Sequence, residues 1–427
     1  MNKKPISIIP EIIQFYDLVK QYGKLYLVGG FVRDSLIGRT PYDYDFIFYG
    51  NTKKLKELFS FFIPSVHNDE TVMVNYKGLE LQITFPKINL EEELKRRDFT
   101  INSIAYSFED NTVFDPENGI NDINKKLIRI SDSSGKGIVN DPIRILRAYR
   151  LKNKLGFNID SFSESVIRDN IYLLSNIQTI RIGKEIEKVL NYEVPSRFFY
   201  DIRDKSILPF VFPELAATVG VEQNRYHKYD VFSHTMLVLD ATPLDLKVRF
   251  AALFHDLGKP FVKSWNREKN DFTFYNHEIL SEKICKNVLK TWAINLDIRK
   301  SVLKLVRNHM FYHHEEWTDK TVRKFIARVG SENIDLIFHL RMADRTGTGS
   351  QKSYDNLEIL KLRVEKELSK NGELTVDDLD ISGYDIMNLG LKGKEIGDAK
   401  KFLLDKVMEN PDENHKNKLV ALLEKKY

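Results

Sequence analysis

The residues with the clearest chemical potential are carboxylates and imidazoles. Asp43 and Asp45 stand one residue apart in "PYDYDFIFYG", residues 41–50, among aromatic and β-branched residues that read as a strand. Side chains two apart on a strand point to the same face. The two carboxylates are therefore expected together, with Tyr42, Tyr44 and Phe46 facing the other way. Two like charges so placed repel unless something positive lies between them. Hard oxygen ligands on a rigid strand suit Mg²⁺ shared with substrate phosphates. A turn led by Pro41 with both acids solvated is the alternative that this short pattern leaves open. Further along stand His234, the adjacent pair His255-Asp256, His277, His309 and Asp344, each within a helical pattern. Imidazoles and carboxylates collected from several helices of one bundle build a metal hydrolase site. A lone histidine on such a helix is by itself an ordinary core or surface residue. Asp256 is harder to set aside, because burying it unpaired in an apolar helix is costly.

The elements that must position these groups are legible from periodicity. "KLYLVGG" reads as a buried strand ending in a Gly-Gly turn, and "FVRDSLIG" as a short helix stopped by Gly38. Amide N–H groups at such a helix start attract an anion, and Gly30 lets a phosphate approach the backbone. Arg33, one turn on, has a planar fork that can reach the same phosphate. "TKKLKELFSFF" reads as a helix, and "TVMVNY" with "LELQITF" as a hairpin. From about residue 140 the strand signal almost disappears, and the region 222–355 is helical and holds eight of the ten histidines.

A chain of 427 residues is too long for one core. The boundaries read from pattern are a head at 1–138, a helical neck at 139–215, a helical domain at 222–355 and a charged helical tail at 356–427. With a net charge of +4 and a pI of about 8.7, nucleic-acid binding is permitted but not demanded. The single cysteine, Cys285, excludes an intramolecular disulfide framework and fits a reducing cytoplasm. The apolar stretch near the start is broken by Pro10 and Glu11, too short for a signal peptide, and no apolar run is long enough to cross a membrane.

Five stretches in order resemble the class II tRNA nucleotidyltransferase and poly(A) polymerase family. They are "LVGGFVRDSLIGRTPYDYDF" (27–46), "LKRRDFTINSIAYS" (94–107), "FDPENGINDINKKLIRI" (114–130), "NDPIRILRAYRLKNKLGF" (140–157) and "IRIGKEIEKVL" (180–190). The resemblance implies an α+β, polymerase-β-like nucleotidyltransferase head followed by an all-helical neck. It implies that Asp43 and Asp45 are catalytic and hold Mg²⁺, and that Gly29, Gly30 and Arg33 meet the nucleotide phosphates. Arg97 would contact the triphosphate or ribose. Asp141 and Arg144 would read the base edge of CTP or ATP, with Arg147 and Arg150 helping. A carboxylate accepts from an exocyclic amino group and a guanidinium donates to a ring nitrogen or carbonyl, so such a pair can read a base without a template. From the residues alone, Asp141-Pro142 is also a helix cap. The arginines, three apart, spiral round the helix as a solvated basic face would.

"EQNRYHKYDVFSHT" (222–235) resembles the HD phosphohydrolase region appended to some bacterial members. The resemblance implies a metal site of His234, His255, Asp256 and Asp344, with His277 and His309 as ligands of a second metal. The ion would be a divalent transition metal or Mg²⁺, and the substrate a phosphomonoester or cyclic phosphodiester at a damaged tRNA 3′ end. An HD domain that keeps its ligands without turnover is the alternative. His313-His314 and His67 read as surface turns, and the lysines of the tail as solvated surface or tRNA contact. The implied activity is template-independent addition of C, with or without a final A, to the tRNA 3′ end from CTP and ATP. Departures from the family pattern are Asn140 and Ile180 where glutamates are common, Gln82 near a third carboxylate position, and a short 86–94 connection where many members carry a flexible loop. That connection leaves a CC-adding enzyme as one alternative. A poly(A) polymerase, or an HD phosphohydrolase with an RNA-binding head, are the others.

Overall fold

The computed structural model describes residues 6–41, 43–59, 62–65, 68–312, 314, 316–349 and 355–427. Tyr42, His67 and His313 lie outside the described residues; His314 is exposed. The chain divides into two compact units, 1–178 and 179–427.

The first unit is built on a mixed sheet. Its strands are β1 (Gly23–Val28), β2 (Tyr44–Gly50), β3 (Phe62–Ser65), β4 (Asn68–Tyr76), β5 (Leu79–Thr84), β6 (Ala105–Ser107) and β7 (Thr112–Phe114), in the spatial order β3-β4-β5-β2-β1-β6-β7. β2 and β5 are parallel and every other neighbouring pair is antiparallel. The expected β4–β5 hairpin forms, and both turn residues, Lys77 and Gly78, have positive φ. That handedness matches the twist of the flanking strands. Period-2 alternation sorts β2. Phe46 and Phe48 face Phe15, Phe85 and Phe108, with Phe15 and Phe46 rings 5.5 Å apart. Ile47 faces the other way, packed with Val28, Ala105 and Leu94, the last from the helix Leu90–Lys95. Each such side chain, once fully buried, contributes roughly 2 kcal/mol. Asp45 lies on the Ile47 face, at the end of the strand that this cover leaves open. One expectation needs correction. The strand starts at Tyr44, so Asp43 stands just ahead of it and is exposed, while Asp45 is half-buried; the two are not a buried like-charge pair. Beyond the sheet lie the helices Ile143–Leu155 and Ser161–Asn170 and a short parallel pair, β8 (Leu127–Ile128) with β9 (Asn158–Ile159).

The second unit is helical. The helices Val231–Asp240, Leu246–Phe254, His277–Thr291, Leu296–Asn308 and Ile334–Gly347 pack together. The middle of this bundle is apolar, with Phe250, Leu253, Phe254, Val302 and Leu340 fully buried. Asp230 caps the first of these helices, its carboxylate accepting from Ser233 N–H at 2.8 Å. A departure from the all-helical expectation is a hairpin, β10 (Ser264–Asn266) with β11 (Asp271–Thr273). Its strands, Ser-Trp-Asn and Asp-Phe-Thr, alternate polar and apolar residues but are three residues each, too short for a periodicity signal. The tail helices Asp355–Asn371, Lys394–Glu409 and Lys416–Glu424 follow, the last two around a core that includes Ile386, Ala399, Leu403 and Leu419. Arg323 is buried and fastens the tail, donating to Glu367 at 2.7 Å and to the Met408 carbonyl at 2.8 Å.

Candidate functional site

In the head, β1 ends at Val28 and the chain turns through Gly29 at φ +72°, a conformation that L side chains rarely adopt. A Cβ there would also stand 3.0 Å from Arg97 Nη1 and 3.5 Å from Asp45 Oδ2. The Gly29 turn, the Asp45 carboxylate and the Arg97 guanidinium therefore converge on one point. Register fixes this: Asp45 pairs with Val28 across β1 and with Gln82 on β5, whose side chain is exposed. Gly30 opens the next helix, Gly30–Leu36, beside a cleft of about 340 Å³ lined also by Asp34, Arg39, Asp43 and Lys154. A carboxylate and a guanidinium at an open backbone turn can together hold a metal-bound polyphosphate.

Arg33 is in a different situation from the one its spacing implied. It is 4% exposed, its Nε donates to Asp34 at 2.7 Å, and its Nη1 donates to Asn102 Oδ1 at 2.5 Å. Its Nη2 lies 3.5 Å from the Cβ position of Gly30. The chain of bonds continues, as Asn102 Nδ2 donates to Asp98 Oδ1 at 2.8 Å. Burial pushes the Asp98 carboxyl up, but Arg147 (3.7 Å), the Asn102 amide, Arg144 and Arg150 hold it below the usual range. The three arginines thus act on one carboxylate although their Cα atoms spiral, because the side chains are long. Arg144 donates to the carbonyls of Arg96 (2.7 Å) and Arg97 (3.1 Å), fastening the stretch 94–107 to the helix Ile143–Leu155. Asp141 lies between the helices Lys136–Asn140 and Ile143–Leu155, with Pro142 in the cap position of the second. Asp98 and Asn102 escaped the reading of single residues, although both lie in "LKRRDFTINSIAYS".

In the helical unit six side chains come together as two triads, His234–His255–Asp344 and Asp256–His277–His309, all buried. Asp256 faces both triads. Its Oδ2 lies 3.2 Å from His255 Nε2 and 3.4 Å from His234 Nε2, and its Oδ1 lies 3.2 Å from His277 Nε2. His234 Nε2 is 3.1 Å from Asp344 Oδ1, and the His277 and His309 Nε2 atoms are 3.3 Å apart. The outer nitrogens explain the orientation. Nδ1 of His255, His277 and His309 each meets a backbone carbonyl, of Ala252, Phe274 and Val306, at 2.7–2.8 Å. A carbonyl only accepts, so Nδ1 carries a proton and Nε2 is the nitrogen turned inward. Two imidazoles and a carboxylate in each triad fit divalent metal ions. Gly258 allows the turn after Asp256 to sit against the next helix, since a Cβ there would meet the His277 carbonyl at 2.4 Å.

Charge in this site is balanced locally. Burial opposes ionisation of Asp256 and Asp344, yet both are held well below the carboxylate range, the first by His255 and Lys259, the second by His234 and Arg341. Lys259 Nζ lies 2.6 Å from Asp256 Oδ2, and Arg341 Nη1 is 2.6 Å from Asp344 Oδ2. Burial, then the His255 and His277 imidazoles, push His309 well down. His227 belongs to neither triad. Its ring is 5.1 Å from that of His234, its Nδ1 meets Asn224 at 2.9 Å, and burial with Lys259 pushes its pKa down to about 3. Lys259 was also not singled out from sequence; its position three after Asp256 was the available signal.

Three family models match the chain: "Poly A polymerase head domain" at residues 25–88 and 63–129, "Probable RNA and SrmB-binding site of polymerase A" at 156–218, and "HD domain" at 227–348. A protein called multifunctional CCA protein in Stenotrophomonas maltophilia is 30% identical over 414 residues, covering 88% of this chain and 97% of that protein. The chain belongs to the multifunctional CCA protein family. The family member of that name in Xylella fastidiosa is 34% identical over 336 residues, 71% of this chain and 78% of its own. The fold is that of a solved Bacillus stearothermophilus CCA-adding enzyme in complex with CTP, with a TM-score of 0.71, 23% identity and 98% of each chain covered. The head match contains Gly29, Asp45 and Arg97, and the HD match contains both triads. No helix of the described residues is long and apolar enough to cross a membrane.

Proposed function

We propose that this protein is a template-independent tRNA nucleotidyltransferase that adds C, C and A to the tRNA 3′ end from CTP and ATP in the cytoplasm. The observation that carries the reading is the convergence of Asp45, Arg97 and the Gly29 turn in the head of a chain of this family. Asp43 and Asp45 would hold two Mg²⁺ ions, which when bound supply an activated 3′-hydroxyl and a neutralised leaving group. The terminal ribose oxygen attacks the α-phosphorus, the bond to the β-phosphate oxygen breaks, and pyrophosphate leaves. The Gly29–Gly30 backbone and Arg97 orient the triphosphate. Arg33, buried, keeps that turn in shape and presents one edge toward Gly30. Asp141 and Arg144, with Arg147 and Arg150, read the base edge. On this reading the chain is a head at 1–138, a neck at 139–215, an HD domain at 222–355 and a tail at 356–427.

The HD domain acts separately, as a metal-dependent phosphohydrolase on phosphomonoesters or cyclic phosphodiesters at damaged tRNA ends. The two triads would hold the metal ions, transition metals or Mg²⁺, and water is the co-substrate that cleaves the ester. The test is Asp43→Ala with Asp45→Ala in the full chain. Nucleotide addition should vanish while phosphoester hydrolysis stays at the parent rate; survival of addition would refute the head assignment. A second reading, addition of two cytidines only, is favoured by one observation. Residues 85–89 alone join β5 to the helix Leu90–Lys95, so there is no long loop at that position.

A further inference from the structure

The cleft over the HD triads holds more than ester hydrolysis requires. Its volume is about 910 Å³, and Asp256, His277, His309 and Asp344 line it together with the cations Lys259, Arg341 and Arg345. Tyr226 and Tyr275 line it too, and they are 61% and 62% exposed. Large rings left so open inside a cleft are not serving the packing of the fold. They present aromatic faces to whatever enters.

Both rings are carried on a rigid frame. Arg225 donates to Asp271 from its backbone N–H (3.2 Å) and its Nε (2.9 Å), and from Nη2 to the Lys269 carbonyl. The 224–227 loop is thereby fixed to the β10–β11 hairpin. The Tyr226 N–H donates to Asn224 Oδ1 at 3.3 Å. Lys269 donates to the Tyr275 hydroxyl at 2.9 Å. Tyr275 lies two residues before His277, and Tyr226 adjoins His227, which abuts His234. The aromatic faces are therefore tied in register to the metal-binding imidazoles of both triads.

We propose that Tyr226 and Tyr275 form a nucleobase subsite of the HD cleft, stacking the base next to the scissile phosphoester while Lys259, Arg341 and Arg345 receive the phosphate. This rests on the phosphohydrolase reading of the cleft. Every base has a π-face, so such a subsite selects nucleotide esters over plain phosphate esters without choosing among bases. The preferred substrate class is a ribonucleotide end, and the four-base tolerance suits an enzyme that meets RNA termini damaged at any residue.

The test compares the metal-loaded full chain with Y226A/Y275A and Y226F/Y275F. The probes are a short RNA ending in a 3′-phosphate and the same RNA ending in 1-deoxyribose 3′-phosphate, which lacks the last base. The alanine variant should lose about 5- to 150-fold in kcat/KM on the first probe and about twofold or less on the second, while the phenylalanine variant stays near the parent on both. Equal losses on the two probes, or no loss on either, would overturn the subsite. A second readout needs no turnover: RNA ending in 4-thiouridine 3′-phosphate is photocrosslinked and the adduct mapped by mass spectrometry. Adducts on Tyr226 or Tyr275 support the subsite, and adducts found only on other residues overturn it. If the parent hydrolyses neither RNA nor a simple phosphomonoester, the phosphohydrolase reading fails, and the crosslink still decides whether the tyrosines meet a base.

Discussion

Asn102 is the link on which the head's polar interior turns, and its removal can be worked through. Its side chain accepts from buried Arg33 at 2.5 Å and donates to Asp98 at 2.8 Å. Both partners are charged, and a hydrogen bond to a charged group is worth about 1.5–3 kcal/mol. Asn102 is only half-buried, so water replaces part of what is lost and the lower end applies, roughly 3 kcal/mol for the two bonds. Asn102→Ala should therefore speed amide exchange about 150-fold in the segments around residues 26–36 and 96–106, measured by hydrogen-exchange mass spectrometry. The segment 334–347, in the other unit, should be unchanged. Asn102→Asp separates the two bonds: it keeps the acceptor for Arg33 but places a carboxylate against Asp98. It should be worse than alanine at neutral pH and recover in part on acidification, as one carboxyl protonates. Unchanged exchange in both head segments of the alanine variant would refute the reasoning, because the Arg33–Asn102–Asp98 chain would then carry no stability.

Gly29→Ala forces φ +72° on a residue with a Cβ and brings that Cβ to 3.0 Å from Arg97 Nη1; the backbone strain alone is about 1–2 kcal/mol, and nucleotide addition should fall at least about tenfold with the fold intact by circular dichroism. Asp256→Asn should lower metal occupancy at both triads, whereas His309→Ala should lower it mainly at one, read as bound metal per chain by elemental analysis after dialysis. The carboxyl of Asp98 is depressed in the folded chain below its ordinary 3.8. Its contribution is thus fully present above that value and is lost as pH falls through the lower, folded one. Urea midpoints of the parent should drop through that acid window more steeply than those of Asp98→Asn.

Much of this was readable from pattern, and what was not has definable causes. β1, the Gly30 helix and β2 follow from alternation and a Gly-Gly turn, and the β4–β5 hairpin from two adjacent strand-like runs. The start of β2 was misjudged because Asp43 continues the alternation of the strand without pairing in it. The burial of Arg33 was hidden because its partner Asn102 is 69 residues away, a separation over which local spacing carries no information. Arg144, Arg147 and Arg150 diverge by Cα geometry on the helix Ile143–Leu155 and meet at Asp98 through side-chain reach. All six side chains of the triads stand out in the sequence, but their division into two groups, with Asp256 facing both, depends on where helix ends meet. The β10–β11 hairpin is hidden because each strand offers only three alternating residues, too few to set against the helical periodicity around them.

The most direct test of the central claim uses purified protein, Mg²⁺ and tRNAs ending at the discriminator base, after C and after CC. Each is offered labelled CTP or ATP separately, and the products are sized on a gel. The expected products are C added to the first two and a single A added to the third. Two cytidines without A would make this a CC-adding enzyme that needs a partner for the last residue. No addition to any of the three would contradict the account outright and leave the HD cleft as the seat of function.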